Sequence, residues 1–448
     1  MMILKYPGVY IKAPLFDYFF VFMCVIFLGG ATVFTAGGLE QFGLSVDAGW
    51  ESLVGKFLMI IMSLYLLYKY EINIISCFDI RIVLVLILWG LLQVIKYRQI
   101  SPYPIVRLFN LYFASVLIFC YRKKLLYYLE DIIAKLALID FVFWIIMILM
   151  PEFTDFLMSL SPIENKALAT GNSWVVFAQA RQYELLRRNV GFAWEPGRFG
   201  TILAVAVFFN LIAYKFKIRG NYHLGILTLA ILSSQSTTAY IIYIIILFVL
   251  LYNKRRSVFF QIFPMIILAI IFLMRFDFMY EKIYDLSVFN KDHIESWNNA
   301  IDYYSRVDRI IVPQRFDGLK LEALNILHDP FIGNATDIYG YLYSVFYVKF
   351  SLSNGALRIF ANMGIIIGLL YYYLVYKSSI WMSKQYKYQG SLWFLIIFIM
   401  INVSYSWIFE PVFLSFVLYP FLIGNSKLYQ LYRIKKILHK KFLTMKFT

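Results

Sequence analysis

Between Arg181 and Gly200 the chain sets Arg181, Glu184, Arg187, Arg188, Glu195 and Arg198 beside sequence apolar enough for a lipid bilayer. Charge in such a place usually has a task. Guanidinium stays charged and grips phosphate oxygens two at a time, so Arg181, Arg187, Arg188 and Arg198, with Arg315 and Arg358 further on, form a candidate diphosphate clamp. The alternative is that each arginine snorkels to a lipid headgroup. Glu195, beside Phe192 and Trp194, could take a proton from a hydroxyl, because an apolar wall raises a carboxyl's pKa. It could equally be a carboxylate at a helix N-terminus paired with an arginine. Glu410-Pro411 repeats the Glu195-Pro196 device, so one of the two carboxylates could be structural. His328 is a candidate for acid–base work or sugar contact, or an exposed interfacial histidine without either task. Asp140 reads as an ion-coupling carboxylate or as a buried group paired with a residue such as Arg107. No phosphate-cradling glycine loop, nucleotide fingerprint, nucleophile elbow or metal-ligand cluster is present in the sequence, so neither a metal nor a cofactor is expected.

The elements that must hold these residues are membrane helices. The 448 residues are 61% hydrophobic and only 15% charged, with a mean hydropathy of +0.71, which excludes an ordinary soluble protein. The net charge of +16 comes mostly from lysines and arginines in short links between apolar runs, a topology signal, so nucleic acid is not an expected partner. A span needs about 20 apolar residues. The expected fold is an all-α polytopic membrane protein of about twelve transmembrane helices, with two long exoplasmic loops carrying amphipathic helices. Residues 1–150 hold helices 1–5, 151–196 the first outer loop and 197–274 helices 6–9. Residues 275–354 form the second outer loop, 355–424 helices 10–12 and 425–448 a basic tail. The basic links at 122–124, 215–219, 254–256 and 377–387 are all even-numbered, which puts both termini in the cytoplasm and both long loops outside. Lys96 and Arg98 are exceptions. Cys24, Cys77 and Cys120 imply neither a disulfide framework nor a zinc site.

Three local readings concern the site directly. Arg181, Glu184 and Arg188 share a face with a stripe through Trp174, Phe177, Ala178 and Leu185, which predicts an amphipathic surface helix in the first outer loop. Phe316, Leu319, Ala323, Ile326 and Leu327 predict a second one, stopped by Asp329-Pro330. Ser233 to Thr238 interrupt an apolar run that starts at Tyr222, predicting two short helices. Their hydroxyl-rich turn would end below the surface, tolerable if protein or a water-filled cavity surrounds it, and a polar cavity opening outward is expected.

From about Arg181 to Tyr376 the motifs RNVGFAWEPGRFG, LSSQSTTAYI, LKLEALNILHDPFIGN and SNGALRIFANMGIIIGLL follow one another in an order that resembles the O-antigen and capsule polymerase (Wzy) and O-antigen ligase superfamily of bacterial inner-membrane proteins. The chain departs from that pattern twice. Gly333-Asn334-Ala335 stand where a glycine pair is usual, and Ser353 and Asn354 stand where a histidine precedes the tenth span. The second departure tilts the reading from ligase to polymerase. The resemblance implies a GT-C-like glycosyltransferase of the cytoplasmic membrane, with undecaprenyl diphosphate-linked oligosaccharide as donor and acceptor. The acceptor hydroxyl would attack the anomeric carbon with inversion and expel the lipid diphosphate. Membrane lipids are implied partners, and a chain-length regulator protein is a further one left open.

Overall fold

The computed structural model describes residues 2–29, 50–98, 103–153, 156, 163–164, 170–173, 178–180, 188–193, 195–260, 310–311, 315–334, 342, 349–350 and 355–424. They are mostly helical. A hairpin of β1 (Met2–Tyr6) and β2 (Val9–Ala13) leads into α1 (Leu15–Gly29), α2 (Trp50–Lys69), α3 (Ile80–Tyr97), α4 (Tyr103–Tyr121) and α5 (Lys124–Leu149). Short strands β3 (Ile163–Glu164), β4 (Thr170–Ser173) and β5 (Ala178–Ala180) precede α6 (Pro196–Ala213), α7 (Tyr222–Ser234) and α8 (Thr237–Lys254). Then come β6 (Ile310–Ile311), α9 (Arg315–His328), β7 (Lys349–Phe350), α10 (Gly355–Tyr386), α11 (Trp393–Ser404) and α12 (Pro411–Gly424). Six of these helices, α3, α4, α5, α6, α8 and α10, are long and apolar enough to cross a membrane, and five shorter apolar helices accompany them. The apolar run at 258–274 lies outside the described residues, apart from a helical start at 256–260.

α6 is the axis. All 18 of its residues are buried, where α3 buries 22% of its span. A helix apolar all round with no exposed face needs neighbours on every side, and α5, α7 and α8 pack along it. The break between α7 and α8 is present as expected. Gln235 turns left-handed (φ 49°) and Ser236 caps α8 by accepting from the Ala239 N–H at 3.3 Å.

Three sequence readings change, and one exception gains a partner. Residues 178–180 are not helical but form β5, paired antiparallel with β4, and 181–187 lie outside the described residues. The competing pairing comes from Thr170–Ser173, four poor helix formers, and helical periodicity cannot register a cross-strand partner. α5 begins at Lys124, inside the basic link expected at 122–124, because Leu125, Leu126 and Leu129 find core contacts before the bilayer-length run starts. α10 runs on to Tyr386, so Lys377 and Lys384 lie on a helix rather than in a link. Lys96, an exception to the alternation of basic links, bonds the Asp329 carboxylate.

α10 is broken at Gly364 (φ 82°, ψ 166°), where the segment after α9 crosses it. A Cβ on Gly364 would lie 2.0 Å from the Phe331 carbonyl oxygen, so only glycine fits. The groups freed by the break are taken up from that segment: Ile365 N–H donates to Pro330 O (2.7 Å) and Asn334 N–H to Ala361 O (2.8 Å).

Candidate functional site

At the start of α6, Pro196 occupies the first helical position and holds Glu195 extended (φ −152°, ψ 155°). Arg198 follows in the first turn. It is 7% exposed, and its Nε (3.0 Å) and Nη2 (2.7 Å) both donate to Leu28 O in the last turn of α1. Its Nη2 also lies 3.5 Å from Glu410 Oε1, and its guanidinium sits 4.4 Å from the centre of the buried Trp407 ring. Glu195 acts electrostatically on the same guanidinium. The two Glu-Pro helix starts therefore converge on one arginine. Partial burial pushes the Glu410 carboxyl above its usual range, while Arg198 and Arg107 oppose that shift. Arg107 is held 4.1 Å over the Phe409 ring. It thus serves Glu410 and not Asp140, which is buried on α5 with both carboxyl oxygens unpartnered among the described residues.

Next to this centre the chain from Arg188 to Gly191 is stitched into the α7–α8 turn. Arg188 Nη2 donates to Gln235 O (2.7 Å), Asn189 N–H to Ser233 O (3.0 Å) and Asn189 Nδ2 to Ser233 Oγ (2.9 Å). The hydroxyl-rich turn thus has protein partners in this segment. Close packing follows from glycine. A Cβ on Gly191 (φ 52°) would lie 2.3 Å from the Phe199 ring, and one on Gly200 would lie 2.6 Å from Ala239 Cβ. Arg188 keeps capacity in hand, because its Nε is buried without an acceptor among the described residues.

The second outer segment joins the same region. Gly355 at the start of α10 lies so close to 402–406 that a Cβ would be 2.6 Å from Ser406 Cα, one residue before the Trp407 that underlies Arg198. Arg358 stands one turn further along α10, facing Glu322 of α9. Glu322 is 2% exposed, and burial pushes its carboxyl up to about 7 against the pull of Arg358 and a hydrogen bond from Asn325. Sequence reading missed Glu322. Its one signal is that Glu322, Asn325 and Asp329 fall at helical spacing, a stripe that reads as a solvated face.

The expected residues divide three ways. Glu195, Arg188 and Arg198 are brought to one end of α6, with Arg358 adjoining. His328 ends α9 exposed, while its neighbour Asp329 is buried and bonded to Lys96 and Tyr97. Arg181 and Arg187 lie outside the described residues; Arg315 opens α9, but its side chain is not among those described. The expectation that Arg198 grips a ligand is weakened, because its donors hold α1 and Glu410. Neither a protein-family model nor a curated protein matches the chain.

Proposed function

We propose that this membrane protein is a polysaccharide polymerase, a metal-independent inverting glycosyltransferase that joins undecaprenyl diphosphate-linked repeat units. The growing glycan would pass from its carrier to a sugar hydroxyl of the next unit, with the carrier diphosphate leaving. Such a leaving group needs no general acid but does need cations in place as its charge develops. The observation that carries the reading is the convergence of two carboxylates, Glu195 and Glu410, on Arg198, with the unfilled Nε of Arg188 alongside. Arg198, fixed to Leu28 O, orients Glu195 rather than touching substrate. Glu195 serves as base, and Arg188 with Arg358, Arg181, Arg187 and Arg315 supplies diphosphate contacts. His328 contacts the glycan. The same reading makes the fold GT-C-like, with twelve spans, cytoplasmic termini and the Arg198 end of α6 outside.

Deletion followed by analysis of surface glycan is the deciding experiment. Loss of a polymerase leaves single repeat units on the carrier or final acceptor; loss of an O-antigen ligase leaves long lipid-linked polymer unattached. Purified protein should polymerise lipid-linked units in excess chelator. One observation favours a second reading, an ion-coupled carrier of lipid-linked oligosaccharide: the buried carboxyl of Asp140, unpartnered among the described residues. Deletion would then trap units on the cytoplasmic side.

A further inference from the structure

α9 buries polar groups. Among its described side chains Gly318, Leu321, Glu322 and Asn325 are buried, followed by Asp329, while Leu327 is 78% exposed and Phe331, just beyond its end, is 72% exposed. A carboxylate and an amide turned inward while the last leucine of the helix is exposed depart from the usual pattern for a water-facing helix.

The depth of this corner is fixed by α3, an 18-residue candidate span ending at Tyr97. Tyr97 Oη donates to Gly333 O at 2.9 Å. Further into the span, Gln93 Nε2 (3.0 Å) and Trp89 Nε1 (2.9 Å) both donate to Ile332 O. At 1.5 Å per residue these two side chains start roughly 6 and 12 Å inward of Tyr97, and helical side chains lean toward the N-terminus, which here is further inward still. Ile332 therefore sits below the end of the span. Irregular backbone at such a depth requires protein partners for its polar groups, and Gln93, Trp89 and the broken turn at Gly364 supply them. Phe331, next to Ile332 and largely uncovered, is exposed at hydrocarbon depth. The outer flank of α3 is lipid-grade as well, with Leu84, Leu88, Leu91 and Ile95 all exposed.

We infer that the corner formed by Leu327 and Phe331 is a membrane anchor whose partner is the acyl chains of one bilayer leaflet. Anchored there, α9 presents Glu322 and Asn325 to the protein and to Arg358. The inference rests on the membrane character of the chain and not on glycosyl transfer, and its test needs no activity.

The test attaches a nitroxide to Phe331→Cys, Leu327→Cys and, as a lipid-facing reference, Leu88→Cys in proteoliposomes. Wild-type protein carried through the same labelling gives the background from Cys24 and Cys77, which are buried, and Cys120, which is half-buried. Dissolved oxygen, concentrated in hydrocarbon, should relax the labels at 331 and 88 more strongly than a water-soluble nickel chelate, with 327 nearer the crossover. Relaxation at 331 dominated by the nickel chelate would place the corner in water and overturn the inference, as would shielding from both reagents, which would mean that protein covers it.

Discussion

The two ends of α6 hold polar clusters about 18 Å apart, by the rise from Arg198 to Asn210, and they are built on opposite principles. At the Asn210 end the Glu130 carboxylate accepts from Tyr6 Oη (2.5 Å) and Asn210 Nδ2 (2.7 Å) and meets His223 Nδ1 (2.9 Å). Asn210 and Asn221 exchange amide bonds at 2.7 and 3.1 Å. The three bonds to Glu130 are all under 3 Å, Glu130 is fully buried, and the hairpin closes the cluster through Tyr6. At the Arg198 end two carboxylates share one guanidinium, the ion pair is 3.5 Å long, Glu410 stays 30% exposed, and Arg188 Nε has no acceptor among the described residues. A buried network that is fully satisfied specifies structure, whereas one left with spare donors and partly exposed carboxylates has capacity for a ligand.

If that contrast is sound, changes at the two ends must fail differently. The largest effect is expected from Glu195→Gln, which keeps size and hydrogen bonding but cannot take a proton. Polymer formation per molecule should fall by about 10² to 10⁴ with abundance unchanged. Near wild-type turnover would remove Glu195 as the base and make Glu410 the next residue to test. Glu130→Ala should do the reverse. It removes the acceptor that Asn210, Tyr6 and His223 share in the core and costs about 3–5 kcal/mol, so folded protein, measured by size-exclusion of detergent extracts, should drop while the surviving molecules keep their turnover.

Arg188→Lys sharpens the comparison within the open end. Lysine keeps the charge but loses the fork and the Gln235 contact geometry, so binding of lipid diphosphate should weaken about ten- to a hundredfold. An unchanged affinity would move the diphosphate away from this residue. The smallest effect concerns Glu322. Its carboxyl titrates at the ordinary 4.5 when unfolded and at about 7 when buried, so between those values the folded protein holds a proton that the unfolded chain has released. Stability should therefore decline as pH rises through that window and level off above about 7, and Glu322→Gln should flatten the slope, by on the order of 2 °C in melting temperature. A wild-type slope left unchanged in the variant would place its source elsewhere.

Much of the architecture is local enough to be read from the chain. Apolar run length marked the helices, and proline fixed the starts of α6 and α12, with Glu195 extended before the first. Hydroxyl residues gave the break before α8, since cap and turn preferences act over a few neighbours. The N-terminal hairpin was missed, although Pro7-Gly8 flanked by Leu4, Tyr6 and Ile11 alternating with Lys5 and Lys12 carries its local signal. Only the tertiary structure decided which charge answers which. Arg198 reaches Leu28 across 170 residues, Lys96 reaches Asp329 across 233 and Trp89 reaches Ile332 across 243. No periodicity encodes such approaches. They also settle which side of α9 faces inward, because beside a bilayer apolar residues are stable on the outside and polar ones need protein partners, so one stripe fits either orientation until its neighbours are placed.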